Sequence, residues 1–261
     1  TQAASLQAQI NFTRQNEYEA DRIGISTLAA AGYRPEGMAS FFDKLNRVHR
    51  GLSTRVPEYL RTHPITTTRI AEAKNRAANM PPSSFVETID FYLMQSRLRA
   101  MLEDKPEQAI RMFRNALEKG KHPFPDALEY GLSIALQRHG SLDEAEAIIQ
   151  RLMQSHPSKM AYQIQQAEID MDQGEADSAL ARLQRLNYQF PGNTAVTLHY
   201  SEALLSTDDP ENALLAGDLL KQYLVNIGGH PRIYEQYARA ADQAGDEIKA
   251  SEAIAESYYL K

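Results

Sequence analysis

The chain has 261 residues, 43% of them hydrophobic, and a formal net charge of -6. That length holds one large domain or two of medium size, and the composition is ordinary for a globular protein. The negative balance, with no Lys/Arg cluster along the chain, excludes a partner bound through phosphate charge such as nucleic acid. No apolar run approaches the ~20 residues of a membrane-crossing helix, and with no cysteine there are neither disulfides nor thiolate metal sites.

Strand-like alternation is hard to find, tryptophan is absent and glycine is sparse, so the chain reads as all-α. Thr1 opens directly in helix-like sequence. Within that first predicted helix, Ile10, Glu17, Ala20, Asp21, Gly24 and Leu28 fall on one stripe, apolar apart from two carboxylates. Carboxylates four apart repel, more strongly where water is excluded, and so require a cation. Arg14 and Arg22 are the neighbours in sequence. The small Ala20 and Gly24 would let another element approach the helix backbone closely, as a helix bearing metal ligands must.

Further on stands Arg61-Thr62-His63-Pro64, where proline removes a backbone donor and biases the residue before it toward an extended conformation. A helix start follows at Thr66 to Thr68, with Ile70, Ala73 and Ala77 on one face. A rigid corner of this kind holds an imidazole in one direction, either toward a functional site or onto a neighbouring carbonyl. At Asn79-Met80-Pro81-Pro82-Ser83-Ser84 the alanine-rich helix ends. Domain limits of 1–79 and 88–261, with a linker over 80–87, follow.

Beyond that boundary the pattern becomes a repeat. Pro123, Pro157 and Pro191 stand 34 apart, and so do Ala145, Ala179 and Ala213, the small residues Ser133, Ala167 and Ser201, and Leu152, Leu186 and Leu220. Such a step is that of tetratricopeptide helix pairs. Small residues let the two helices of a pair touch, Gly140 and Gly174 fall at the turns, and proline ends each unit. Ala238, Gly245 and Ala250 repeat the internal spacing, and Thr88 to Gly120 is a degenerate copy around Pro106 and Ala109, which makes four or five pairs. Ala127, Ala161 and Ala195, with Tyr130, Ile164 and Leu198, stack at the same step on the first helices and either line a shallow apolar trough for a partner or, for some of them, only pack the solenoid. His122, His156 and His230, each before proline, mark repeat ends and read as capping or surface residues.

The run Glu17-Tyr18-Glu19-Ala20-Asp21-Arg22-Ile23-Gly24, followed by Gly32-Tyr33, Pro35, Thr62-His63-Pro64 and Arg69-Ile70, resembles the M48 family of zinc metalloproteases. In that family an HExxH helix supplies two histidines and the general base, and the first Glu of a downstream ExxxD supplies the third ligand. The resemblance places Glu17 at the ligand position and Asp21 at the supporting one, and makes His63 a candidate metal-facing residue, as a fourth ligand or as a hydrogen-bond donor to the transition state. None of the seven histidines is followed by glutamate, so this sequence holds no HExxH. The fold it implies is the C-terminal helices of a metalloprotease domain followed by a tetratricopeptide solenoid. The function it implies is that of a piece of a periplasmic, Zn2+-dependent endopeptidase, inactive without the HExxH segment. The repeats would bind outer-membrane β-barrel proteins or their assembly machinery. A non-catalytic tetratricopeptide adaptor or chaperone module is the other reading.

Overall fold

The structure is a computed structural model that describes the backbone of residues 2–51, 65–227 and 229–261, and the side chains of 14–47, 65–226 and 229–261. Among the described residues there are thirteen α-helices and no strand. The chain divides into two compact units, Thr1–Glu87 and Thr88–Lys261.

The first unit holds α1 (Gln2–Ala30), α2 (Glu36–Gly51) and α3 (Thr67–Ala78). Gly32 ends α1 by adopting φ 81, a left-handed conformation open to glycine, which lets the Tyr33 amide reach back to the Leu28 carbonyl at 2.9 Å. Pro35 then cannot continue the helix, and the chain turns into α2. Thr66 caps α3, its hydroxyl accepting from the Arg69 amide at 3.2 Å. α2 and α1 both pack on α3. The core between α2 and α3 is Ala39, Phe42, Ile70 and Ala73.

Residues 80–87, expected as a linker, lie on this unit. Ser83 donates to the Gly32 carbonyl at 2.7 Å, the Phe85 and Tyr33 rings are 5.3 Å apart, and Arg34 pairs with Glu87 at 2.9 Å.

The second unit is five consecutive helix pairs: α4 (Ile89–Leu102) with α5 (Pro106–Lys119), α6 (Pro125–His139) with α7 (Leu142–Ser155), α8 (Met160–Asp172) with α9 (Ala176–Gln189), α10 (Thr194–Leu205) with α11 (Pro210–Ile227), and α12 (Pro231–Gln243) with α13 (Glu247–Tyr259). The small residues of the 34-residue step are interior: Ser133, Ala167, Ser201, Ala145, Ala179 and Ala213 are all buried. Ser133 shows why a small side chain is needed there, since its hydroxyl donates to the Ala145 carbonyl across the helix pair at 3.0 Å. Two apolar clusters share α8, which gives Tyr162 and Ile169 to one and Ile164 and Ala167 to the other. A helix buried on both sides loses its amphipathic stripe, and α8 has little. The first pair is irregular: α4 packs mainly on α6 and hardly on α5.

Candidate functional site

Glu17 and Asp21, one turn apart on α1, meet one cation. Arg69 Nη1 lies 2.8 Å from Glu17 Oε2, while its Nε and Nη2 each lie 2.7 Å from an oxygen of Asp21. The three side chains are 9%, 16% and 13% exposed for Arg69, Glu17 and Asp21, so the charges are largely out of water. The guanidinium carbon sits 5.0 Å from the centre of the Phe42 ring, a cation–π contact on its remaining face. Hydrogen bonding to Asp21, first of all, raises the Arg69 pKa against the opposing effect of burial, so the group stays charged.

Two close carboxylates would repel, and Arg69 turns that repulsion into a fork of charge-assisted hydrogen bonds. The cation is neither of the sequence neighbours: Arg22 pairs with Glu19 at 3.5 Å. Arg69 is held in turn at its backbone by the Thr66 cap. Asp21 thus fixes Arg69, and Arg69 fixes Glu17. A carboxylate accepts several hydrogen bonds or a metal in addition to one, so this clamp is chemically compatible with Glu17 as a metal ligand whose direction is set from behind.

At Gly24 a Cβ would stand 2.9 Å from Met38 Cε, so among the described residues the element that comes close there is α2 of the same unit. His63 lies outside the described residues. Among the described residues no three His, Asp or Glu side chains converge as a metal site.

On the repeats, the expected apolar trough is divided. Ala127, Tyr130 and Ile164 are buried, Ala161 and Leu198 are half-buried, and Ala195 is exposed. Polar groups that sequence reading missed face one another instead. Arg97 of α4 bonds Glu168 of α8 at 2.9 Å and reaches the Tyr130 hydroxyl of α6 at 3.4 Å, while His199 of α10 lies 3.1 Å from the same Glu168. Burial pushes the Arg97 pKa down, but the Glu168 hydrogen bond and charge outweigh it and the net shift is upward. Burial lowers the His199 pKa below 6.5 despite Glu168, which leaves the imidazole neutral at pH 7. The proline-linked histidines behave as expected: His230 caps α12 by accepting from the Arg232 amide, and His122 accepts from the Phe124 amide at 3.1 Å.

The buried carboxylate pair and its arginine coincide with a family match. Residues 1–77 match Peptidase family M48. Over 260 residues the whole chain is 32% identical to the beta-barrel assembly-enhancing protease of Escherichia coli K12, covering 100% of this chain and 52% of that protein. The protein of the same name from Yersinia pestis is 30% identical over 260 residues, 100% of this chain and 53% of the relative. A putative beta-barrel assembly-enhancing protease of Vibrio cholerae is 32% identical over 163 residues, 62% and 34% of the two chains. This chain therefore spans about half the length of the Escherichia coli and Yersinia pestis relatives, and its helical repeats follow the stretch that matches the peptidase family model. Among solved structures, MamA from Desulfovibrio magneticus RS-1 aligns at TM-score 0.48 and 14% identity, over 68% of this chain and 97% of that one.

Proposed function

We propose that this chain is part of a zinc-dependent endopeptidase of the bacterial periplasm that acts in outer-membrane β-barrel assembly and quality control. In this reading the M48 portion, residues 1–79, contributes Glu17 as a metal ligand, with Asp21 and Arg69 as its positioning residues. Residues 80–87 lead to the repeat domain, 88–261, which binds substrates or assembly machinery. The observation that carries the reading is the Glu17–Arg69–Asp21 clamp within the stretch that matches the peptidase family. When bound, zinc supplies Lewis acidity toward a peptide carbonyl.

One carboxylate does not hold a zinc ion, which takes three or four protein ligands. This chain alone is therefore expected to bind zinc weakly and to cleave nothing, so that the activity left to it is that of an adaptor. The test compares zinc content and cleavage of an unfolded β-barrel protein in the longer protein carrying an HExxH segment. Glu17→Gln should lower both. Arg69→Lys should lower cleavage more than zinc content, because it loosens the ligand without removing it. His63 is proposed to face the same metal, and a His63→Ala protein indistinguishable from the parent in both measurements would remove it from the site. Submicromolar, one-to-one zinc binding by residues 1–261 alone would overturn the division of the site between this chain and the rest of the protein.

A further inference from the structure

A cavity of about 330 Å³ opens among α6, α8, α9 and α10, on the repeats. Its floor is apolar, formed by Ile164, Ala167, Met171, Leu183 and Ala203. Its charged lining is acidic: Glu168, Asp172 and Glu202, with no lysine or arginine.

The three carboxylates are not equally compensated. Glu168 is neutralised by Arg97. Asp172 accepts a hydrogen bond from Gln137 at 2.7 Å, but an amide brings no charge. Glu202 is exposed and forms no ion pair among the described residues. His199, the one titratable base in the lining, is kept neutral by burial and offsets nothing at pH 7.

Local structure gains nothing from these charges. Asp172 is the last residue of α8 and Glu202 lies in the last turn of α10, and neither helix has a basic residue in its last turn. The C-terminal end of a helix is already partially negative, so a carboxylate there works against its own helix. The helix ends add to the negative potential of the cavity, and among the described residues no lysine or arginine lines its apolar floor.

We propose that this cavity takes the side chain of a lysine or arginine from an extended polypeptide segment. An aliphatic stem lies on the floor while the cation meets Asp172 and Glu202 at the rim, as amphipathic basic side chains do on apolar surfaces. The proposal rests on the reading that the repeats bind polypeptides, and it adds which side chain they select. A neutral or acidic residue at the same place leaves the rim charges unmatched.

The test uses the 261-residue chain and unstructured fluorescent peptides that are identical except for one central residue, lysine, norleucine or glutamate, in an apolar context. The lysine peptide should bind about five- to tenfold more tightly than the norleucine one at low salt, with the difference fading as salt is added. The double reversal Asp172→Lys, Glu202→Lys should invert the order in favour of the glutamate peptide. Both positions are exposed, so circular dichroism should show the helices unchanged. Equal affinity for all three peptides would overturn the charge selection while leaving polypeptide binding intact. A lysine preference that survives the reversal would place the selection on another surface and overturn the assignment to this cavity. Failure to bind any of the peptides, or an unfolded β-barrel protein, would remove the binding role of the repeats as well.

Discussion

Arg69 and Asp21, 48 residues apart in sequence, are joined by two parallel hydrogen bonds of 2.7 Å. The arginine is buried, Asp21 is largely so, and Glu17 shares the same guanidinium, so removing the arginine leaves two carboxylates side by side, largely out of water. Arg69→Met should therefore destabilise the first unit by about 3–5 kcal/mol, the scale for breaking a buried ion pair. Arg69→Lys should cost less, since a point charge remains but the fork is lost. Urea denaturation read by circular dichroism decides this, and two midpoints equal to that of the parent would mean that the clamp carries no stability.

Ala179 is fully buried between the helices of its pair, whereas Gln184, five residues further along α9, is exposed. Ala179→Asp should cost the repeats several kcal/mol through an unpaired buried charge in a site with no room, and Gln184→Asp within about 0.5 kcal/mol. Thermal melts of the two variants should differ by many degrees. Similar losses would show that the 34-residue register is misassigned.

Gly131 sits in the middle of α6, where helix propensity favours alanine by up to about 1 kcal/mol. A Cβ at this position would collide with the Phe113 ring and stand 2.9 Å from Ser96 Cβ, both buried. Overpacking of a filled core costs about 1–3 kcal/mol, so Gly131→Ala should be a net loss. A rise in melting temperature would mean that α4, α5 and α6 can shift apart without penalty.

His199 gives the repeats a pH dependence of definite sign. Burial lowers its pKa below the ordinary 6.5. The unfolded chain then binds a proton that the folded chain does not, and stability falls as the pH drops through 6.5 toward the folded-state value. Glu168 opposes the shift while Arg97 supports it, and Glu202 and Arg232 act on the ring from farther off. The urea midpoint should thus fall less between pH 7.5 and 5.5 in His199→Gln than in the parent. An identical fall in the two proteins would show that the imidazole titrates normally.

What could be read from the sequence follows from the range of the contacts. In a solenoid each pair touches its neighbours, and a close helix crossing needs a small residue at a fixed place. Ser133, Ala167 and Ser201 therefore record the architecture at a constant step, and the all-α repeat was legible. The need of Glu17 and Asp21 for a cation was legible too, from their four-residue spacing. Its identity was not, because periodicity looks along one helix and the partner comes from α3. Arg69 left a trace only in the Arg69-Ile70 motif. The network of Arg97, Glu168 and His199 spans four helix pairs and has no local signature. The inner surface was legible only in part: Tyr130 is core, Ile164 though buried lines the cavity, and the repeating charged signal of the lining was Glu168 and Glu202, 34 residues apart.

Asp172 and Glu202 belong to successive helix pairs, α8–α9 and α10–α11. The distance between these two jaws is therefore set by the rotation from one pair to the next rather than by any single element. A solenoid is elastic in that coordinate, since most of its packing runs between neighbouring pairs and small rotations accumulate along the stack. A cation gripped by both jaws acts as a staple across the joint and stiffens the superhelix, and a pull on either end of the repeats spreads the jaws and weakens the grip.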